Sequence, residues 1–439
     1  MVDRISSPVF LKRQRTAVLG VFLTSVTIFA TFLLMAPESI MNKPCSDCAG
    51  WYYPVAENLA AGKGLVVGDN DRPALDRPPG HVLLLSGAFT IGRAVGLEKV
   101  AVVYVLNVLL LSFAACLLFR ISELFWGVKG GLVSAGLWST SPFVLWFLNQ
   151  PFSEVPFFVC IFSAAWLFVR EQQGQEPGYK KMFIVGTVLG IAILIRPIGI
   201  ALVIPFVICL GLMRRRVACK SLVIGSIAIV CGAWVVLAPW QAYLFNKTGS
   251  FVFLSDSVHG HRSVVEGLIF GIRSEEYKVD IPLSPDIRQF MEEMHSTVFS
   301  YEQTSGGVDL YGPGAPLDIR ETTNVLKIAA TRLGENVTLA LRFFWLKVSR
   351  SWYGTDSHRN ERLAGYLQIF YLTVCGLGLI ETMRRPQTRM LALLVSLMVL
   401  YFWAFSVAFT PLVRYMIPAL GFLFLLAPGA FASEKTRGQ

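Results

Sequence analysis

Long apolar runs separated by short charged segments set the pattern of this chain. The first run, Ala17 to Ala36, holds twenty residues without a charge; as a helix it reaches ~30 Å, enough to cross a bilayer. Comparable runs recur at roughly 101–119, 128–147, 155–169, 182–195, 198–213, 221–240, 363–382, 390–410 and 415–431. The pattern predicts an all-α, polytopic membrane protein of about ten transmembrane helices, one membrane domain over 1–439, with both termini on the same side. The run His81 to Ile91 is too short to cross and ends at Arg93, so it reads as a re-entrant or surface-lying helix. Within Met182 to Met213 the sole interruption is Arg196-Pro197, where a proline breaks the backbone ladder. Basic flanks on both sides favour two short helices with Arg196 at the tip over one kinked helix.

Two polar stretches punctuate the spans. The first, 37–100, is dense in acids, tyrosines, Gly and Pro between Pro44 and Gly80. The second, 241–362, closes on TLALRFFWLKVSRSWYG, where Phe343, Phe344, Trp345 and Trp352 alternate with Arg342, Lys347 and Arg350; that mixture suits a helix lying at the membrane interface.

Composition agrees with the pattern: 54% of the residues are hydrophobic and 15% charged, which excludes a water-soluble domain of ordinary make-up. The net charge of +10 raises nucleic-acid binding as a question, and the placement of the charge answers it. Lys and Arg gather at the N-terminus, at Arg120 and Lys129, at Arg170, Lys180 and Lys181, at Arg214–Arg216 with Lys220, at Arg384, Arg385 and Arg389, and at Lys435 and Arg437. In the ten-span reading all these fall on one side, as cytoplasmic loops do, so no nucleic-acid partner is expected. The first run is longer than the apolar core of a cleaved signal peptide and reads as a retained span. The protein is expected in the inner (plasma) membrane, multi-pass, with both termini cytoplasmic and 37–100 and 241–362 outside. Six of the eight cysteines lie in or beside apolar runs, where they pack; Cys45 and Cys48, in the outer loop, read equally as a local disulfide or two thiols.

Candidate chemistry lies on the outer side. Asp47 follows the first span and Glu154 opens the fourth. Ionisable groups at membrane boundaries tend to be paired, cavity-facing or functional, though Asp47 also reads as a turn or helix-cap acid and Glu154 as a helix-start acid. Arg196, Arg342, Lys347, Arg350 and Arg414 run against the charge bias of the loops. A cation at membrane depth costs ~2.5–3.5 kcal/mol and calls for an anion. A lipid phosphate fits a guanidinium well; snorkelling or an internal ion pair with Glu154 or Asp47 is the plainer reading. Carboxylates able to accept a proton and cations able to stabilise a departing phosphate together fit transfer of a group from a phospholipid-type carrier. The principal rival is a lipid-linked-sugar flippase or other transporter using the same cations without chemistry; it predicts polar groups through the span interiors, which are mostly clean of charge. His259 and His261 in HGHR lack neighbouring acids at ligand spacing, and Gly62-Lys-Gly64 is not followed by the Ser/Thr of a phosphate-binding loop.

An ordered set of short motifs runs through the chain: Asp47, Tyr53, Ala56-Glu-Asn-Leu-Ala and Gly62-Lys-Gly64; Arg77-Pro-Pro-Gly80; Ser153-Glu154; Leu194-Ile-Arg196-Pro197; Pro239-Trp240 with Asn246-Lys-Thr-Gly249; Lys347, Arg350-Ser-Trp352-Tyr353; and Arg414-Tyr415 with Pro418. In this set the sequence resembles the GT-C superfamily of membrane glycosyltransferases, in the bacterial branch similar to protein O-mannosyltransferases and the lipid A aminoarabinose transferase. The resemblance implies a polyprenyl-phosphate sugar donor, a hexosyl- or pentosyl-transfer reaction at the non-cytoplasmic face and an acceptor in the cell envelope. It implies Asp47 as catalytic acid of the first outer loop with Glu154 as second acid, Arg196, Lys347, Arg350 and Arg414 toward the donor phosphate, and Tyr52, Tyr53, Arg77 and Tyr415 shaping the cavity. The loop acid stands in Ser-Asp-Cys rather than an Asp-Glu pair, which leaves the acceptor open, together with any divalent metal.

Overall fold

The computed structural model describes residues 8–37, 48–68, 72–172, 178–213, 219–255, 267–268, 283–304, 319–355 and 360–432. Asp47, Cys45, Asp69, Asp71, Arg214–Arg216, His259 and His261 lie outside the described residues. The described chain is an all-α polytopic membrane protein whose strands are the two-residue pair β1 (Val66–Val67) and β2 (Arg72–Pro73), antiparallel in the first polar stretch. Two compact units are distinguished, one of Met1–Ser255, Val374–Met398 and Gly421–Gln439, the other of Asp256–Thr373 and Val399–Leu420.

In the first unit α1 (Pro8–Met35) precedes the polar stretch, which holds α2 (Tyr53–Ala60) and ends in α3 (Gly80–Ala94). At fifteen residues α3 is too short to cross a bilayer. Next, α4 (Lys99–Thr140) is a hairpin: Gly127 at φ 68° takes the left-handed conformation that reverses the chain. The limbs pack face to face, with Trp138 donating from Nε1 to the Leu111 carbonyl at 3.2 Å and Ser134 from Oγ to Ser122 Oγ at 2.9 Å. The run 128–147, expected as one span, is cut at Ser141. Pro142 drives that residue to an extended backbone (φ −66°, ψ 123°), and two short turns follow to Asn149.

Then come α5 (Glu154–Gln172), α6 (Tyr179–Ile195), α7 (Val203–Met213) and α8 (Cys219–Thr248). As the sequence predicts, the 182–213 region is two helices broken at Arg196, which is extended at φ −144°, ψ 125° and followed by a 3-10 turn over Pro197–Leu202. Helices α6 and α8 touch through bare backbone. A Cβ on Gly186 would lie 2.0 Å from the Ile229 carbonyl oxygen, and one on Gly232 would lie 2.1 Å from that of Phe183. Small residues at such a seam replace the missing hydrophobic drive between helices in lipid.

The second unit carries α9 (Pro285–Thr304), α10 (Ile319–Glu335) and α11 (Val337–Arg350) around a core of Phe290, Met291, Met294, Val325, Leu339 and Phe343. Asn336 caps α11 by accepting from the Leu339 amide at 3.0 Å, and Arg332–Glu293 and Arg342–Asp286 tie the helices at their rims. The stretch 241–362 is thus no simple loop. Its amphipathic helices bury one face against each other, while Leu341, Phe344 and Trp345 on the far face of α11 stay 58% or more exposed, as an interfacial helix requires. The chain closes with α12 (Glu361–Arg384), α13 (Arg389–Ala408) and α14 (Val413–Phe424). Among the described residues five helices are long and apolar enough to cross a membrane: Gln14–Met35, Lys99–Thr140, Leu222–Thr248, Glu361–Arg384 and Pro386–Ala408. The other predicted spans fall on shorter helices, and Lys99–Thr140 is itself a two-limbed hairpin.

Candidate active site

In the first unit the polar centre is the turn Gln150–Glu154, between the hairpin and α5. Asn107 on the first limb holds it, donating from Nδ2 to the carbonyls of Phe147 (3.0 Å), Leu148 (3.2 Å) and Gln150 (2.7 Å). His81, at the start of α3, contacts the Pro151 carbonyl from Nε2 at 2.7 Å. Because a carbonyl only accepts, Nε2 carries the proton and Nδ1 the lone pair. Burial pushes the His81 pKa down to about 4, partly offset by that hydrogen bond and by the Glu154 charge, so the ring is neutral at physiological pH. Gly80 lets this segment close onto the backbone ahead of Arg196: a Cβ there would sit 2.7 Å from the Leu194 oxygen.

Arg196 and Glu154 meet here. Their side chains, 14% and 3% exposed, form an ion pair, and Arg196 also donates from Nη1 to Ser153 Oγ at 2.9 Å. Tyr52 donates from its hydroxyl to the same Ser153 oxygen at 3.3 Å and packs edge-on against His81, centroids 4.8 Å apart. The Arg77 guanidinium lies over the rings of Trp51 (5.4 Å) and Tyr52 (5.1 Å). One cluster therefore unites Tyr52, Arg77, Ser153, Glu154 and Arg196 with His81, which sequence reasoning did not single out. His81 was hidden as the first letter of an apolar run, directly after Arg77-Pro-Pro-Gly80. Tyr53 turns away to stack on Phe89 at 5.8 Å, and burial, reinforced by Tyr104 and Glu57, lifts its hydroxyl to a pKa of about 12. Asp47 lies outside the described residues.

In the second unit Arg350, at the end of α11, donates from Nη2 to Glu361 Oε1 at 2.6 Å, with 3% and 0% exposure. The Thr355 amide donates to the same oxygen at 3.0 Å, so Glu361 also fixes the turn after α11. One turn before Arg350, Lys347 is 7% exposed. Its Nζ reaches the Ala408 carbonyl at 3.4 Å, and burial pushes its pKa down to about 8. The Val413 amide donates to the Gly354 carbonyl at 2.8 Å, holding the segment before α14 beside the end of α11, and Arg414 lies over the Tyr415 ring at 5.3 Å. Glu361 escaped notice because it reads as the ordinary acidic start of an apolar helix; its place eleven residues after Arg350 was the available signal. No group of three or more His, Cys, Asp or Glu that could hold a metal occurs among the described residues.

With its all-α membrane architecture, the chain shares its fold with archaeal oligosaccharyltransferases of known structure. The crystal structure of the Archaeoglobus fulgidus oligosaccharyltransferase tethered to an acceptor peptide containing the NVT sequon aligns with a TM-score of 0.55 at 13% identity, over 94% of this chain and 49% of that one. Archaeal oligosaccharyltransferase AglB from the same organism, in complex with an inhibitory peptide and a dolichol-phosphate, aligns with a TM-score of 0.53 at 12% identity, over 93% of this chain and 50% of that one. At these identities the likeness is one of fold, and the chain spans about half the length of those proteins. More narrowly, residues 76–243 match the family described as dolichyl-phosphate-mannose-protein mannosyltransferase, a segment that contains Arg77, His81, Glu154 and Arg196. No curated protein matches the sequence.

Proposed function

We propose that the protein is a glycosyltransferase that moves a sugar from a polyprenyl-phosphate donor to a lipid, glycan or protein acceptor of the cell envelope, on the non-cytoplasmic face of the inner membrane. The observation that carries this reading is that the mannosyltransferase-like segment 76–243 contains the Ser153, Glu154 and Arg196 of the cluster, to which Tyr52 is hydrogen-bonded. Glu154 already faces a cation, so its charge serves to hold Arg196 and order the cluster, and Asp47 takes the role of base. The acceptor hydroxyl gives its proton to the Asp47 carboxylate while its oxygen bonds to the anomeric carbon; the bond from that carbon to the phosphate oxygen breaks in the same displacement, and the configuration inverts. Cations stabilise the departing polyprenyl phosphate. Arg196, Lys347, Arg350 and Arg414 are proposed for this.

Full-length protein in lipid nanodiscs, given a radiolabelled polyprenyl-phosphate sugar and an envelope extract as acceptor, is expected to release polyprenyl phosphate and label the extract. Asp47→Asn is expected to lower that release by about 10²–10⁴-fold, the weight of a general base. Movement of intact donor between leaflets without carrier release, or an Asp47→Asn protein that folds and retains full transfer, would defeat the reading.

A further inference from the structure

Helix α1 and the first limb of α4 leave a groove of about 540 Å³ between them, which sugar transfer does not use. Its walls are two stripes. Arg15, Leu19 and Phe22 stand at i, i+4 and i+7 on α1, and Phe113, Leu117 and Arg120 repeat that spacing on α4, so each set shares one helix face. The order is reversed between the helices: Val18 meets Cys116, whose Sγ approaches the Val18 carbonyl at 3.6 Å. Both arginines therefore stand at one end and both phenylalanines at the other. Seven residues of helix rise about 10 Å, which gives the groove a cationic mouth and an apolar wall of that depth.

A third helix sharpens the asymmetry. Trp166 of α5 lines the groove, and Arg170, one turn on, lies over its ring at 5.4 Å. One acid at this end is Glu123, which accepts from Arg120 at 2.7 Å and from the Gln14 side chain. Arg15, Arg120 and Arg170 come from three helices; the carboxylates beside them are Glu123, paired with Arg120, and Glu171, which is next to Arg170 and is held by Lys181, so the cations outnumber the acids and the local charge is positive. A soluble anion finds no use for the apolar wall, and an uncharged hydrocarbon leaves the arginines without a counter-ion. An amphiphile with an anionic head satisfies both ends, and basic pockets between membrane helices take such lipids. We infer that this groove binds an anionic phospholipid, its phosphate between Arg15 and Arg120 and an acyl chain along Leu19, Phe22 and Phe113. The site is separate from the Glu154–Arg196 cluster in residues and in chemistry, and it does not depend on the sugar-transfer reading.

The test is native mass spectrometry of full-length protein released from vesicles of equal phosphatidylglycerol and phosphatidylcholine. Retained phosphatidylglycerol is expected to exceed phosphatidylcholine severalfold. Arg15→Gln is expected to cut that retention about five-fold, the weight of one basic residue at an anionic surface; Arg15→Lys is expected to keep most of it, and Arg384→Gln, an exposed arginine outside the groove, to leave it unchanged. Should Arg15→Gln not fold, Leu19→Glu tests the same claim by placing a carboxylate on the apolar wall, where Leu19 is 57% exposed, and is expected to abolish the preference. Retention without headgroup preference, an equal loss in Arg384→Gln, or displacement of the lipid by inorganic phosphate alone would overturn the assignment.

Discussion

At the scale of single residues, the Glu154–Arg196 ion pair carries the sharpest consequence. Glu154 opens α5 and Arg196 sits at the extended break after α6, so each needs the other to justify its removal from water. Breaking such a pair from one side leaves an uncompensated charge and costs ~3–5 kcal/mol, whereas replacing both partners by apolar side chains is often close to neutral. Glu154→Gln alone is therefore expected to lower unfolding stability in detergent markedly, and Glu154→Leu combined with Arg196→Met to restore much of it without restoring activity. A double-mutant cycle on chemical or thermal unfolding checks this; strict additivity would show that the pair is not coupled. Lys347 makes the complementary case: among the described residues no acid pairs with it, and burial holds its pKa down at about 8, below the 10.5 of the open chain. Below pH 8 it is charged in both states and burial costs the fold about 3 kcal/mol. Between pH 8 and 10.5 the folded protein binds fewer protons than the unfolded one, so stability rises with pH across that window and levels off above it. Lys347→Met is expected to remove this rise, and comparison of its unfolding midpoints with wild type from pH 7 to 10.5 decides the matter.

At the scale of elements, what the sequence could say depended on whether a signal was local. The break at Arg196-Pro197 was legible because proline removes a donor and constrains its predecessor, both nearest-neighbour effects. The end of the second hairpin limb at Ser141 has the same cause, yet hydropathy carried the expected span seven residues past Thr140, because Pro142 sits inside an apolar run. The helices α9 to α11 were invisible as a packed group. Their amphipathic faces are buried only against each other, a tertiary fact that single-helix periodicity reports solely for the aromatic end of α11. The same limit hid His81 and Glu361, whose partners lie 70 and 11 residues away. The glycine seam of α6 and α8 was equally unread, since nothing in one helix shows which glycines meet a neighbour's backbone. Its contribution is testable: Gly232→Val places side-chain carbon against the Phe183 carbonyl, where even a Cβ would come to 2.1 Å. Overpacking of this kind costs ~1–3 kcal/mol. Gly136→Val, where a Cβ meets nothing within 4 Å, is the control. A Gly232→Val protein as heat-resistant as that control would show that the seam is not tight.

For the whole molecule, the class of fold was written in the spacing and sign of charge around apolar runs, because a membrane imposes a one-dimensional rule that a globular core does not. Basic residues mark the cytoplasmic side, and the rule assigns Lys63, in the first polar stretch, to the outside and Arg384, at the end of α12, to the inside. Both side chains are exposed, so each can be replaced by a reporter without disturbing a packed core. In a background with the eight native cysteines replaced, Lys63→Cys is expected to react with a membrane-impermeant maleimide in cells whose outer envelope is opened but whose inner membrane is intact, and Arg384→Cys only after that membrane is permeabilised. The outcome bears on the chemistry as well as on topology. Asp47 lies sixteen residues before Lys63 with no apolar run between them, so a label reaching position 63 from outside places the proposed base on the face where a polyprenyl-linked donor would be consumed. Labelling of Arg384→Cys in intact cells, with Lys63→Cys protected, would invert the topology and remove the physical basis for a non-cytoplasmic active site.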